Sequence, residues 1–317
     1  MKKLSIVIPV YWNEPNIPHT VPRLQKFLDS LKGFESELIF VDDGSGDRSL
    51  ELLIAEQKKD PRIKIIKLSR NFGSMQAITA GISRATGDCV GMITSDLQDP
   101  PELFGEMIAK WQAGNKVVIA VRSDREESFS QKLFAKIFYK LMARFALAGY
   151  PAGGFDFFLI DRQVAKEVVA IQEKNTNVMS LIFWLGHRRA SISYVRQRRQ
   201  HGKSRWTFMK KIKFFIDSFV AFSYMPVRFI STIGLFTALV SFAFGIYVII
   251  SAIFGKIPVQ GYAPLMAVIT FLLGLIMIML GIIGEYLWRT LDESRKRPPF
   301  IIDEIYGFKS EVGLLHK

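Results

Sequence analysis

What is scarce in this chain narrows it first. Its 317 residues hold one cysteine, Cys89, so no disulfide framework can form within the chain. A reducing, cytoplasmic setting suits its polar part. The four histidines, His19, His187, His201 and His316, are scattered and give no zinc-ligand spacing. No G-x-G-x-x-G follows the first apolar run and no G-x-x-x-x-G-K-[ST] occurs anywhere, which argues against a dinucleotide fold and a P-loop. The N-terminus lacks a signal-peptide pattern, because "LSIVIPV" is too short and Asn13, Glu14 and Pro15 soon follow. Acids are outnumbered: 42 Lys and Arg against 29 Asp and Glu leave a formal charge of +13. Nucleic acid and anionic lipid both attract such a chain, so the position of the charge has to decide between them.

What is present in excess is apolar, and it is concentrated. Phe229 to Gly255 and Ile257 to Gly284 contain no charged residue. A membrane-spanning helix needs about 20 apolar residues, and both runs exceed that. Lys210, Lys211, Lys213 and Arg228 precede the first run, and Arg289, Arg295, Lys296 and Arg297 follow the second. The positive-inside bias puts both flanks in the cytoplasm and the short linker outside. Arg196, Arg198, Arg199, Lys203 and Arg205 extend the basic cluster, with Trp206, Phe208, Phe214, Phe215, Phe219 and Phe222 interleaved and no acid between 196 and 213. A basic, aromatic amphipathic helix lies in a membrane interface. The charge therefore favours a bilayer over nucleic acid. The expected organisation is a cytoplasmic domain over 1–205, interfacial helices over 206–226, spans over 227–255 and 262–288, and a cytoplasmic tail over 289–317.

The first part reads as α/β. "LSIVIPV", "ELIFVDD", "IKIIKL", "DCVGMIT" and "KVVIAV" are β-branched and nearly continuous in apolar character, as strands buried on both faces are. Stretches of helical spacing separate them, which predicts a mostly parallel sheet with helices on both faces. Ligands of such sheets bind at the carboxyl ends of the strands. Polar residues collect there: Glu14 after the first strand, Asp42 and Asp43 at the second, Arg70 and Asn71 after the third, Asp96, Gln98 and Asp99 after the fourth, Arg122 after the fifth. In "GMITSDLQDPPE" two readings compete, a metal site and a helix cap. Asp99 before Pro100, Pro101 and Glu102 suits an N-cap. Asp96 and Gln98, two apart on an extended segment, can share one side.

These pieces together resemble a known family. "IVIPVYWNEPNI", "VDDGSGDRS", "LSRNFG", "SDLQDPPE" and "HGKSRW", followed by paired apolar runs and "GEYLWRTLDESRKRPPFII", are similar to the membrane-anchored polyisoprenyl-phosphate glycosyltransferases of glycosyltransferase family 2. The likeness is to bactoprenol glucosyltransferases of the GtrB type and, more distantly, to dolichol-phosphate mannose synthases. It covers almost the whole chain, to about residue 305. The resemblance implies a GT-A fold, a tetramer, and residence in the inner membrane with the catalytic domain in the cytoplasm. It implies that Pro9, Tyr11, Glu14 and Asp42 hold the nucleobase and ribose of a nucleotide-diphosphate sugar, with Asp43, Arg70, Asn71 and Gly73 in the same pocket. Asp96 and Gln98 match the metal-binding part of a D-x-D-x-Q motif. Arg122 matches an arginine at the donor diphosphate and acceptor phosphate, and Arg199, Ser204 and Arg205 a loop that closes over the site. One departure stands out, because Thr94 occupies the position of the first Asp.

The expected reaction is transfer of glucose from UDP-glucose to undecaprenyl phosphate. Mg²⁺ or Mn²⁺ suits the leaving diphosphate, since hard cations take one or two protein oxygens plus phosphates and water. A lipid phosphate, with a second pKa of about 6, is already anionic near neutral pH and needs positioning more than a base. Asp156 is the base candidate if one is used, and direct attack inverts the anomeric centre. Lys132, Lys136, Lys140 and Arg144 recur at fourfold spacing on one helix face. That face either guides the lipid phosphate or is simply solvated. GDP-mannose or an amino-sugar nucleotide remains open as donor. A processive synthase is disfavoured, because Gly202 stands where its Q-x-x-R-W signature needs Gln. A lipid-binding adaptor or flippase subunit would have no need of the strand-end acids.

Overall fold

The computed structural model describes residues 1–96, 98–124, 140–151, 154–171, 173, 176–197, 222–223, 225–254 and 262–308. It divides into two units, residues 1–219 with 298–317, and residues 220–297.

The first unit is built on a sheet of eight strands: β1 (Lys2–Val10), β2 (Phe34–Asp42), β3 (Ile63–Leu68), β4 (Cys89–Met92), β5 (Val117–Asp124), β6 (Phe157–Asp161), β7 (Arg189–Val195) and β8 (Ile302–Tyr306). Their order across the sheet is β7-β5-β6-β4-β1-β2-β3-β8. β1 pairs in parallel with β2 and β4, and β2 with β3, so four strand ends fall on one edge. β6 is antiparallel to both β4 and β5. β5 and its parallel neighbour β7 therefore run in the same direction as β1–β4, and the start of β6 reaches the same edge. All five strands expected from the sequence form, within a few residues of their expected limits.

Both faces are covered. α1 (Ile17–Ser30), α2 (Ser49–Gln57) and α4 (Leu103–Gln112) bury Val21, Leu24, Leu53, Phe104 and Met107 against Leu4, Ile6, Ile8 and Phe40. α3 (Ser74–Arg84) packs on the other face, with α5 (Arg162–Ala170) and α6 (Val178–Trp184) beside it. Each fully buried aliphatic or aromatic side chain contributes about 1.5–3 kcal/mol, so the alternating faces of β1 and β2 fix the register of the sheet.

The edge away from the expected site is also held by a buried charge. Glu37 of β2 is about 1% exposed, and accepts hydrogen bonds from Ser5 Oγ at 2.5 Å, Lys64 Nζ at 2.5 Å and Thr86 N at 2.7 Å, with Lys3 Nζ at 2.9 Å. These groups join β1, β2, β3 and the turn before β4.

Part of the segment expected as a tail, 289–317, belongs to the sheet. Ile302–Tyr306 adds to β3 as the antiparallel edge strand β8, with Lys67 bonded to Asp303 at 2.8 Å and Glu304 at 2.5 Å. Exposed acids on an edge strand also discourage further strand pairing.

The second unit contains α7 (Met225–Ile253) and α8 (Tyr262–Ser294). Within α8, Phe271–Ser294 is long and apolar enough to cross a membrane, and Val227–Thr237 of α7 forms a shorter apolar stretch. At about 1.5 Å per residue, α8 is about 50 Å long and outreaches a hydrocarbon core of about 30 Å. Its last turns are polar, with Arg289 paired to Glu285 at 2.8 Å. The interfacial segment expected over 206–226 lies almost wholly outside the described residues, as do Lys132 and Lys136.

Burial pushes the Glu37 carboxyl up, but the bonds from Lys64, Ser5, Thr86 and Lys3 outweigh it and bring its pKa down to about 2. The folded value lies below the unfolded one, so this carboxylate stabilises the fold at pH values above about 4.5 and loses its effect as pH falls towards 2. Glu37→Gln leaves buried lysine charge unmatched and is expected to destabilise the protein by roughly 3 kcal/mol at pH 7. Thermal unfolding of the full chain in detergent should show a gap between wild type and variant that narrows on acidification.

Candidate active site

The site grows from the loops that leave the strand ends, and each loop is held by its neighbours. After β1, Trp12 takes a left-handed backbone, φ +50°. Its N–H donates to Ser45 Oγ at 2.9 Å, and the N–H of Asn13 to Ser49 Oγ at 2.9 Å. Glu14 exchanges contacts with the same loop: its N–H donates to Asp47 Oδ2 at 3.2 Å, and its carboxylate accepts from the Arg48 N–H at 3.1 Å. Asn13 Nδ2 also donates to the Ser95 carbonyl at 3.1 Å, while Ser95 Oγ donates to the Pro9 carbonyl at 3.1 Å. The first, second and fourth strand ends are thus fastened together by short polar side chains.

The second and third strand ends meet at Asp43. Its two carboxylate oxygens accept the N–H groups of Phe72 at 2.7 Å and Gly73 at 2.9 Å. Gly44 lets the two loops touch: its φ is +71°, and a Cβ there would lie 2.7 Å from the backbone of Arg70 and Asn71. At Gly46 a Cβ would collide with the Trp12 ring at 2.8 Å. Arg70 stacks its guanidinium 4.2 Å from the Phe72 ring. Tyr11 and Trp12 remain partly exposed at the rim, about 38% and 43%.

Asp42 is nearly fully buried, and its Oδ1 has no hydrogen-bond partner while Oδ2 accepts from the Ser45 N–H at 3.3 Å. Burial raises its pKa, and burial raises that of Asp43 to about 6 against the opposing Phe72 and Gly73 N–H groups. A buried carboxylate oxygen with no partner is costly, and a ligand hydroxyl or ring N–H would satisfy it.

After β4 the chain turns through Asp96 and Gln98. Asp96 Oδ1 lies 2.8 Å from Thr94 Oγ1 and accepts the Gln98 N–H at 3.3 Å. The Gln98 amide nitrogen donates to the Gln197 carbonyl at 3.1 Å, which leaves the amide oxygen on the other side of the group. Among the described residues, no three His, Cys, Asp or Glu side chains gather as a metal cage.

Asp99 does not cap α4, contrary to the sequence expectation. The helix starts from Glu102 without a side-chain cap, and its first N–H groups are met by the carbonyls of Pro100 at 3.2 Å and Pro101 at 3.0 Å. Asp99 is instead fully buried, with Oδ1 accepting from Tyr194 Oη at 2.5 Å and Oδ2 lying 2.9 Å from Thr94 Oγ1. Arg196 Nε stands 3.4 Å from Oδ1. These long-range partners, on and just past β7, outcompete the local cap.

At the β5 and β6 ends, Arg122 is paired with Asp156 in a very short contact, and Arg196 Nη1 is 4.0 Å from the same carboxylate. Asp156 therefore sits between two guanidinium groups. The structure thus places Pro9, Tyr11, Glu14, Asp42, Asp43, Arg70, Asn71, Gly73, Asp96, Gln98, Arg122 and Asp156 along one edge of the sheet. Arg199, Ser204 and Arg205 lie outside the described residues. Sequence reasoning missed the structural parts of Asn13, Ser95 and Tyr194. Asn13 and Ser95, each beside an expected strand end, carried a positional signal, whereas Tyr194 carried none.

Comparison with known proteins bears on this edge. Residues 5–169 match the profile of glycosyl transferase family 2. The chain is 39% identical to an uncharacterized glycosyltransferase, YkcC, of Bacillus subtilis, over 97% of this chain and 95% of that one. It is 36% identical to the bactoprenol glucosyl transferase of Shigella phage SfV, over 95% and 98%. Among solved structures, S. aureus TarS 1-349 aligns with a TM-score of 0.44 at 18% identity, over 61% of this chain and 59% of that one.

The contact between the second and third loops is the most constrained. Gly44→Ala would need both a strained φ and displacement of backbone at Arg70, and should cost about 1–3 kcal/mol. Thermal unfolding of the variant in detergent should register that loss. Asp43 gives a pH signature as well. Its folded pKa is raised, so folding is favoured at low pH and loses stability as pH rises from about 4 through about 6. Asp43→Asn should flatten that part of the stability profile in thermal unfolding, unlike the Glu37 variant.

Proposed function

The chain belongs to glycosyl transferase family 2, and on that premise we propose that it transfers glucose from UDP-glucose to a polyprenyl phosphate at the cytoplasmic face of a membrane. The observation that carries the reading is the convergence of Asp42, Asp43, Asp96, Gln98 and Arg122 on one sheet edge, in a chain alike over nearly its full length to bactoprenol glucosyl transferases.

The donor nucleotide is bound along the loops after β1–β3. The unpartnered Asp42 Oδ1 accepts from its base or ribose, and Tyr11 and Trp12 supply an aromatic rim. Asp96 and the Gln98 amide oxygen fit a divalent cation shared with the donor: one charged and one neutral oxygen make a poor cage alone but a sufficient pair when a diphosphate completes the shell. Mg²⁺ or Mn²⁺ bound there would neutralise the leaving diphosphate.

The acceptor phosphate is drawn to Arg122. Asp156 is clamped by Arg122 and Arg196, and its role in this reading is to hold the arginines. A dianionic phosphate needs no base. Its oxygen attacks the anomeric carbon, the bond from that carbon to the diphosphate oxygen breaks, and UDP departs with the electron pair. Attack opposite the leaving group turns an α-linked donor into a β-linked product.

The strand β8 supports the paired spans. Residues on both sides of the 220–297 unit belong to one sheet, so both flanks lie on the same side of any membrane that α8 crosses. That supports an even number of crossings, with α7 as the second span in this reading.

Two measurements test the reading. Purified protein with labelled UDP-glucose, Mg²⁺ or Mn²⁺ and undecaprenyl phosphate should put label into the lipid phase. GDP-mannose and amino-sugar nucleotides run in parallel decide the donor, and no transfer from any of them counts against an enzyme. Asp96→Ala should lower kcat at least 100-fold. For topology, Cys89 is buried, with burial pushing its thiol up to about 12, so it is a silent background for labelling. In a Gln260→Cys variant an impermeant maleimide should label intact cells. A Lys58→Cys variant should label only after permeabilisation.

A further inference from the structure

We propose that the main chain at Gln197 is a positioning group for Gln98. It engages the amide nitrogen, so that the amide oxygen is presented to the cation, and position 98 therefore requires an amide rather than a carboxylate. The inference rests on the cation reading of Asp96 and Gln98 above. Residues 98 and 197 meet in two reciprocal bonds. The Gln197 N–H donates to the Gln98 main-chain carbonyl at 2.9 Å, and the Gln98 side-chain nitrogen donates to the Gln197 carbonyl at 3.1 Å. The first bond sets where the Gln197 carbonyl stands, and the second uses that carbonyl.

The two candidate ligands differ in how much an outer partner can add. Asp96 is buried and already accepts the Gln98 N–H at 3.3 Å, so its surroundings restrain it. Gln98 is half-buried, with a long side chain that loses rotamer freedom when it is fixed. A carbonyl accepts only from a donor, which decides the amide flip: nitrogen toward Gln197, oxygen away from it. The bond uses one amide hydrogen and none of the lone pairs of the amide oxygen.

The partner is itself held. Just before Gln197, Tyr194 Oη donates to the fully buried Asp99 at 2.5 Å, and Arg196 Nε stands 3.4 Å from the same carboxylate oxygen. The segment past β7 is thus fastened to the turn after β4 by residues 194, 196 and 197, and its carbonyl is not free to follow the amide. A carboxylate at position 98 has no hydrogen to give and would set an oxygen against the Gln197 carbonyl. It would turn away, so the added charge would come with a lost orientation. Loss of an outer partner of this kind typically costs 10–100-fold in metal affinity.

The test is calorimetric titration of UDP with and without Mn²⁺, on full-length protein in detergent. Wild type should bind UDP more tightly with Mn²⁺. Gln98→Glu keeps an oxygen ligand and adds a charge but removes the donor. Its Mn²⁺-dependent gain should fall about tenfold, to near that of Gln98→Ala. Gln197→Pro removes the N–H that fixes the carbonyl and leaves the Gln98 side chain intact. Its gain should fall in the same way, while its metal-free UDP affinity moves less than twofold. The proposal is overturned if Gln98→Glu matches or exceeds the wild-type gain, as a ligand acting alone would, or if Gln197→Pro keeps the full gain. If wild type binds UDP equally with and without Mn²⁺, the cation reading itself fails and the positioning role falls with it.

Discussion

A parallel sheet buried on both faces has only its ends open to polar chemistry, and everything functional in this protein depends on that constraint. β1 to β4 are apolar through their middles because helices cover them above and below. Hydrogen-bonding groups therefore gather where the strands stop. The strand ends are then close enough to satisfy one another. Ser95 bonds back to Pro9, Asn13 to Ser95, and Phe72 and Gly73 to Asp43. The loops of the site are consequently ordered by each other. Loops ordered in this way need little rearrangement to accept a ligand, which favours affinity by lowering the entropy lost on binding.

The two ends of the sheet treat their buried acids in opposite ways. Glu37 is surrounded by donors, two of them lysines, and its pKa falls to about 2. Asp42 and Asp43 are about as buried but meet only N–H and hydroxyl groups, and burial lifts both. The first arrangement stabilises the fold. The second stores unfavourable desolvation that a bound ligand can relieve, a contrast expected between structural and functional carboxylates.

Much of this was legible in the sequence. Five strands and their polar ends could be read because continuous β-branched runs are a local signal, and the fold class followed from their alternation with helical spacing. What could not be read has a common cause. Asp99 before two prolines has every local feature of a cap, but its partners are Thr94 and Tyr194, and the latter is 95 residues away. Thr94 reads as a missing acid, whereas in three dimensions it is a hydroxyl placed between two acids. The residues after 289 read as a tail because a five-residue edge strand with two exposed acids looks like any polar segment until β3 is beside it.

That edge strand also bears on where the apolar unit falls along the chain. β8 is held by main-chain pairing to β3 and by Lys67 between Asp303 and Glu304. The exposed ion pairs add little alone, so the pairing of strands is the main bond. Its consequence is topological rather than energetic. With strands of one sheet on both sides of residues 220–297, the apolar unit is an insertion within the fold of the first unit.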